Sequence, residues 1–201
     1  TKSNVKSAEA SYNKAEYVGY QYIEGLQHGY GECNGTSASC PVNGKTVYNS
    51  TIKQAIDKWY AGTTLEKDAA TKALVSQDQI FCNDRSATTS SSGTPGEISG
   101  SMSTTTTYYY GAYVRLVTNK SPQLKCPTES DKFTSRKSSI GNKALTYPVG
   151  LITADEVAMA GGVYGSGNSS YYLYTNQHYW SGSPSNFGGS TAGAGEFRVS
   201  S

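Results

Sequence analysis

Only two residues of this 201-residue sequence could act as histidine bases in acid–base or nucleophilic catalysis. The two histidines, His28 and His178, lie in neither a G-x-S-x-G nor an H-E-x-x-H motif. A hydrolytic or modifying enzyme would have to bring His178, a serine and either Asp84 or Asp155 together from distant parts of the chain. Since no local motif indicates such a site, we predict that the chain is not an enzyme and has no cofactor.

Two short groups of charged residues have structural explanations. Asp155 and Glu156 resemble a catalytic carboxylate pair, but Thr153-Ala-Asp-Glu156 is a capping box, in which acidic residues stabilise the start of a helix. Asp84 and Arg85 have the chemistry to bind a cation or a ligand carboxylate. We expect them instead to fix a turn or to form an internal ion pair.

The four cysteines predict disulfide bonds and no metal site. Cys33, Cys40, Cys82 and Cys126 lack the paired C-x-x-C spacing of a structural zinc site. Three connectivities are possible for four cysteines, and the simplest pairs neighbours in sequence, Cys33 with Cys40 and Cys82 with Cys126. Disulfides in a chain of this composition indicate a secreted protein.

Hydrophobic periodicity predicts the elements that would position these residues. Ser50 is the expected N-cap of a helix whose apolar side chains, from Ile52 to Tyr60, recur at helical spacing, and a weaker helix follows over 64–75. The capping box predicts a further helix, ended by Gly161 and Gly162. Segment 108–117 fits either a helix or a strand. Short strands are expected at 17–22, 79–82, 146–152, 171–174, 177–180 and 196–199.

The charge balance excludes two classes of partner. A net charge of +2 gives no field that would attract nucleic acid or an anionic membrane. No apolar run approaches the roughly 20 residues that a membrane-spanning helix needs, so we predict no membrane insertion. We interpret 17–201 as one domain after a leader or helix at 1–16, with a Ser/Thr-rich loop or insertion at 86–107.

The C-terminal segment has the composition of a binding surface. From Tyr164 to Ser201, 24 of 38 residues are Tyr, Ser, Gly or Asn, and Glu196 and Arg198 are the only charged residues. Antibody loops favour the same set, because Tyr supplies a large contact area and Ser, Gly and Asn supply adaptable hydrogen bonds. A plain antiparallel sheet with Gly/Ser turns is the alternative interpretation, since Tyr also favours strands.

A series of short motifs, in order along the chain, carries a family resemblance. They are Tyr17-Val-Gly-Tyr-Gln-Tyr22, Ser50-Thr-Ile-Lys53, Trp59-Tyr60, Phe81-Cys-Asn-Asp-Arg-Ser86, Tyr109-Tyr-Gly-Ala112, Leu124-Lys-Cys126, Asp131-Lys-Phe-Thr134, the run from Leu145 to Glu156 with Gly161-Gly162, Tyr171-Tyr-Leu-Tyr174 and Tyr179-Trp180-x-x-Ser183-Pro184. With these motifs the chain resembles the C-type-lectin-like domains of uncharacterised secreted proteins from Gram-positive gut bacteria. It is also similar to the variable proteins diversified by retroelements.

The resemblance implies an α+β, C-type-lectin-like fold, in which two helices flank a small antiparallel sheet with long loops. It also implies that the last strands and loops, about Tyr164 to Ser190, form a ligand face. The Glu-Pro-Asn and Trp-Asn-Asp motifs of calcium-dependent sugar-binding lectins are absent. The cysteine arrangement of the related formylglycine-generating enzymes has no counterpart after Cys126.

These observations predict an extracellular recognition module, secreted or at the cell surface and adhesin-like or retroelement-diversified. Its partner would be a protein or glycan on another cell, a phage or a host surface. A structural subunit of a pilus or surface layer is the first alternative, and a hydrolytic or formylglycine-enzyme-like protein the second. The predicted ligand-binding residues are Tyr171, Tyr174, Asn176, His178, Tyr179, Ser181, Ser185, Asn186 and Phe187.

Overall fold

A computed structural model describes residues 18–23, 41–42, 45–96, 106–136, 140–167, 169–174, 179–188 and 194–199. Short helices and antiparallel strands alternate along these segments, so the predicted α+β class is confirmed. None of the helices in these segments has the length and apolar character to cross a bilayer. The predicted leader at 1–16, the Cys33–Cys40 pair and part of the 86–107 segment lie outside the described residues.

The helices are short, and the longest of them follows the predicted cap. Ser50 accepts a hydrogen bond from the backbone N–H of Lys53 at 3.1 Å, which confirms it as the N-cap of the first helix. The weaker helix predicted over 64–75 is instead divided in two, because Asp68 adopts an extended conformation and caps the second piece. The α-helices of the described residues are α1 (Thr51–Ala61), α2 (Thr64–Lys67), α3 (Ala69–Ala73), α4 (Gly111–Tyr113) and α5 (Ala154–Met159).

Helix α1 buries one side chain that its periodicity does not predict. Ile52, Ile56 and Tyr60 are buried as expected for its apolar face. Lys53 is also buried, with 1% of its surface exposed, and its ammonium contacts Asp57 one turn later. Burial lowers the pKa of Lys53, and the Asp57 carboxylate partly offsets that effect.

The strands form three antiparallel sheets in the described residues. The strands are β1 (Gln21–Ile23), β2 (Pro41–Val42), β3 (Lys45–Asn49), β4 (Phe81–Cys82), β5 (Ala87–Thr88), β6 (Thr107–Tyr110), β7 (Lys132–Phe133), β8 (Tyr179–Gly188) and β9 (Ala194–Val199). Sheet order is β1-β3-β2 in the first, β4-β7 in the second and β5-β6-β8-β9 in the third. A π-helical segment, Val114–Thr118, directly follows α4, so the ambiguous 108–117 segment is strand first and helix afterwards.

The four-stranded sheet carries the main aromatic core. Phe187 on β8 is completely buried and stacks on Tyr108 of the neighbouring β6, with ring centroids 4.8 Å apart. Tyr110 packs against the same phenyl ring at 5.1 Å, and Val18 joins the cluster from the N-terminal side. This core fixes β8, and therefore the hairpin that β8 forms with β9.

A disulfide joins β4 to the segment that leads into β7. Cys82 and Cys126 are bonded, with their Cα atoms 5.5 Å apart, and this confirms one of the two predicted pairs. The strands beside the bond pair directly, with Phe81 opposite Phe133. The bond closes a loop across 44 residues, which stabilises the fold by restricting the unfolded chain.

Two of the predicted strands are wrong. Segment 146–152 is irregular. The Tyr20 hydroxyl accepts the hydrogen bond of the Leu151 N–H at 2.8 Å, and the Gly182 N–H of β8 donates to the Ile152 carbonyl at 2.7 Å, but no strand ladder forms. Segment 171–174 is a turn, in which the Tyr174 N–H donates to the Tyr171 carbonyl at 2.9 Å. In the C-terminal region the observed strands are β8, which begins at Tyr179, and β9, which contains the predicted 196–199.

Candidate functional site

The charged residues that suggest chemistry in the sequence are held in internal ion pairs. The Arg115 guanidinium donates to both carboxylate oxygens of Asp155, from Nε at 2.8 Å and from Nη2 at 2.7 Å. Its remaining nitrogen, Nη1, donates to Asp84 at 2.7 Å. Burial alone would lower the pKa of Arg115, but the two carboxylates raise it above its ordinary value. Arg115 therefore stays charged and joins the π-helical segment to α5 and to the segment after β4.

Arg85 forms a second buried pair. Its Nε donates to Asp131 Oδ1 at 2.5 Å, and its backbone N–H donates to Asp131 Oδ2 at 2.9 Å. Burial raises the pKa of the Asp131 carboxyl, and Arg85 opposes that shift. The prediction that Asp84 and Arg85 take part in internal ion pairs is confirmed, although with partners distant in sequence.

The capping box at the start of α5 is also confirmed. The Thr153 hydroxyl accepts from the Glu156 N–H at 3.1 Å, and the Glu156 carboxylate accepts from the Thr153 N–H at 2.7 Å. Asp155 has the added role of pairing with Arg115. Both aspartates considered for the enzyme hypothesis are thus bound to one arginine, whereas His178 lies outside the described residues.

Helix α5 ends in a turn that brings the following loop back against it. Gly161 adopts a φ of 102°, a left-handed conformation that favours glycine. The Gly162 N–H donates to the Val157 carbonyl at 2.9 Å, and a Cβ on Gly162 would lie 2.7 Å from the Val157 side chain. The loop can therefore lie directly on α5, which places Val163 and Tyr164 beside the helix.

An open cleft of about 430 Å³ lies between α5, this loop and β9, and we call it the apolar cleft. The π-helical segment forms one wall, α5 forms the floor, and the loop after α5 and strand β9 complete it. Phe197 packs edge-on against the Tyr164 ring, with centroids 6.1 Å apart. The lining residues are Leu116, Val117, Lys120, Pro122, Ala154, Val157, Ala158, Gly162, Val163, Tyr164, Ser166, Ser181, Phe197, Arg198 and Val199.

The rim of the apolar cleft exposes large hydrophobic side chains. Val163 and Tyr164, which line it, each have 59% of their surface exposed, and Met159, at the end of α5 but outside the lining, has 57%. Contiguous apolar surface of this kind often marks an interaction site on a folded protein. The apolar cleft thus combines an apolar interior with an exposed aromatic ring, as sites for small or partly buried ligands do.

A second cleft, of about 640 Å³, lies on the other side of the α5 N-terminus. It is lined by the Cys82–Cys126 disulfide, by Lys125 and Lys132, and by the buried pair of Arg115 and Asp155. Its charged lining is already paired in part, since Lys132 contacts Glu129 as well. Within the part of the chain that the structure describes, no group of three or more His, Cys, Asp or Glu residues is placed to hold a metal ion.

The structure separates the nine predicted ligand-binding residues into three groups. Tyr171, Ser181 and Phe187 are buried and contribute to the core, and Ser181 donates to the Phe197 carbonyl at 2.9 Å. Burial raises the pKa of Tyr171. A second group is partly exposed, consisting of Tyr174, Tyr179, Ser185 and Asn186. Asn176 and His178 lie outside the described residues.

Sequence reasoning missed the residues that form the apolar cleft. Tyr164 begins the Tyr/Ser/Gly-rich segment, but it is not among the nine predicted binding residues. Leu116 and Val117 belong to an apolar run that indicates a core position, and only the π-helical turn shows that they border an open cleft. Of the seven predicted residues that the structure describes, Ser181 alone lines it. Comparisons with family models, curated proteins and solved structures found no match for this chain.

Proposed function

We propose that this chain is an extracellular ligand-recognition module that binds a protein partner through the apolar cleft and the exposed residues around it. The observation that carries the proposal is the open apolar cleft beside the solvent-exposed Tyr164 ring. A protein ligand fits better than a glycan, because apolar walls desolvate apolar side chains at a gain, whereas they leave sugar hydroxyls unpaired.

Three further features support this function. The α+β architecture with a C-terminal antiparallel hairpin is compatible with the C-type-lectin-like scaffold that the motifs resemble. The Cys82–Cys126 disulfide is compatible with a secreted or cell-surface location. The charged pairs of Arg115 and Arg85 are used to join segments of the fold, so the recognition surface would rest on a fixed base. The gene neighbourhood would distinguish an adhesin-like module from a retroelement-diversified one. A near-copy of the final coding segment beside a reverse transcriptase gene would indicate the retroelement-diversified module.

A structural subunit of a pilus or surface layer is the second candidate, and the position of β9 favours it. In the described residues β9 is an edge strand of the four-stranded sheet, paired with β8 alone. Exposed strand edges can add a strand from another chain. Self-assembly of the purified chain into polymers at micromolar concentration, visible by electron microscopy, would favour this candidate over recognition.

Binding of the fluorescently labelled chain to intact bacterial and host cells tests the proposed function. Cells would be used untreated, after protease digestion and after glycosidase digestion. We expect saturable binding that unlabelled chain displaces and that protease treatment removes. Binding that glycosidase treatment removes and protease treatment does not would identify a glycan ligand. If no cell type showed displaceable binding, the proposal would be contradicted.

A further inference from the structure

The apolar cleft also carries charge of one sign. Its lining includes two basic residues, Lys120 and Arg198, and no acidic residue among those that the structure describes. Both residues are exposed to solvent. The walls between them are formed by Leu116, Val163 and Phe197. A ligand in this cleft would therefore meet apolar surface and positive charge together.

Lys120 and Arg198 lie outside the ion pairs that the structure describes. The ion pairs of the described residues engage Lys53, Lys72, Arg85, Arg115 and Lys132. Neither Lys120 nor Arg198 belongs to one of these pairs. A cation beside apolar walls attracts an anion more strongly than one on a flat surface, because less water screens the two charges. Arginine adds geometric preference, since its planar guanidinium can bind a carboxylate through two parallel hydrogen bonds.

The geometry points to an acidic and apolar peptide segment of the partner protein as the ligand of the apolar cleft, an inference that rests on the proposed function. An apolar or aromatic side chain would enter between Val163 and Phe197, and a neighbouring carboxylate would pair with Arg198 or Lys120. The cleft is open to solvent, which suits a group that remains attached to a larger molecule more than a free fatty acid that needs enclosure.

Two fluorescent probes that differ by one charge test this inference. 8-Anilinonaphthalene-1-sulfonate is an apolar anion, and N-phenyl-1-naphthylamine has the same aromatic groups without the sulfonate. We expect the folded chain to bind the anion about tenfold more tightly at low salt, and the difference to shrink in high salt. Lys120→Gln and Arg198→Gln should each weaken binding of the anion about three- to fivefold, the size of a partly exposed ion pair, and leave the neutral probe unchanged.

Matched control variants exist for both charges. Lys143 is exposed and has a φ of 57°, close to the 52° of Lys120, but it does not line the apolar cleft. Arg136 is likewise exposed and outside it. Lys143→Gln and Arg136→Gln should leave the affinity for both probes unchanged. Equal loss of anion binding in the control variants would overturn the inference, because it would indicate a general charge effect.

Peptide competition distinguishes the sources of the anion. An acetylated Phe-Glu-Phe amide should displace the anionic probe at least five times better than the Phe-Gln-Phe amide, and better than decanoate. Superior competition by decanoate would overturn the peptide assignment in favour of a lipid. Equal binding of the two probes, with no effect of Arg198→Gln, would refute the charge preference while leaving the proposed function intact. If Val163→Gln also left the neutral probe unaffected, the proposed function itself would fail.

Discussion

Arg115 and Asp155 form an ion pair with two hydrogen bonds that joins one wall of the apolar cleft to its floor. Nε and Nη2 of the arginine donate to the two carboxylate oxygens at 2.8 and 2.7 Å. Arg115 belongs to the π-helical segment that carries Leu116 and Val117, and Asp155 belongs to α5, which carries Val157. The pair therefore fixes the distance between the two apolar surfaces on which a ligand would lie.

Asp155→Ala should destabilise the fold by about 3 kcal/mol, because it leaves the mostly buried Arg115 guanidinium with one carboxylate instead of two. Urea denaturation followed by circular dichroism measures the loss. Glu156→Ala is the matched control, since this neighbouring carboxylate is exposed and serves only the cap. An equal loss of stability in both variants would show that Asp155 acts only through its position at the helix start and that its ion pair with Arg115 adds nothing.

Lys53 should make the free energy of unfolding of the chain change with pH in the alkaline range. Its pKa in the folded chain is lowered, so between that value and about 10.5 the unfolded chain binds more protons than the folded one. The free energy of unfolding contributed by Lys53 therefore rises as pH rises through this interval. Subtracting the Lys53→Met curve from that of the unmodified chain isolates the effect from tyrosine titration. Lys58→Met, at an exposed lysine of the same helix, is the matched control, and a Lys53→Met curve parallel to that of the unmodified chain would refute the prediction.

The Cys82–Cys126 disulfide should contribute about 4 kcal/mol, from the loop entropy of its 44-residue separation. The double variant Cys82→Ala/Cys126→Ala should therefore unfold at clearly lower urea concentration than the unmodified chain. Reducing agent should shift the midpoint of the unmodified chain further than that of the double variant. Equal shifts would assign the effect of reduction to Cys33 and Cys40 instead.

Two buried tyrosines should respond differently to loss of the hydroxyl. Tyr20→Phe should cost about 1 to 2 kcal/mol, because the hydroxyl accepts from the Leu151 N–H at 2.8 Å and donates to the Leu151 carbonyl at 3.3 Å. Tyr171→Phe should be neutral or stabilising, since its buried hydroxyl has no hydrogen-bond partner among the described residues. The melting temperatures of the two variants and of the unmodified chain measure this difference. Destabilisation by Tyr171→Phe would indicate a partner in the segments outside the described residues.

Local signals in the sequence predicted the elements whose caps and periodicity are complete within a few residues. Ser50 and the Thr153 capping box determine helix starts through contacts three residues away, so sequence alone locates them. Segment 146–152 has strand-forming residues, but a strand also needs a neighbouring strand to pair with. The Leu151 N–H donates instead to the side-chain hydroxyl of Tyr20. The burial of Lys53 depends on packing that helical spacing does not encode.

The sequence indicates which region of the chain contains the candidate site, but it does not indicate which residues form the site. A Tyr/Ser/Gly-rich composition marks the C-terminal segment, yet it does not say which side of each strand faces the core. Phe187 faces inward onto Tyr108, whereas Tyr164 stays outside beside Phe197. Leu116 joins the site from a segment about fifty residues earlier, and only tertiary packing brings it there.

The most direct test compares how tightly two tyrosine variants of the chain bind to cells whose surface proteins are intact. Tyr164 lines the apolar cleft and is 59% exposed, while Tyr172 is 90% exposed and does not line it. We predict that Tyr164→Ser weakens binding at least about tenfold, as loss of an aromatic anchor does, with an unchanged melting temperature. Tyr172→Ser should bind as the unmodified chain does. Full binding by Tyr164→Ser would contradict the central claim that the apolar cleft is the recognition site.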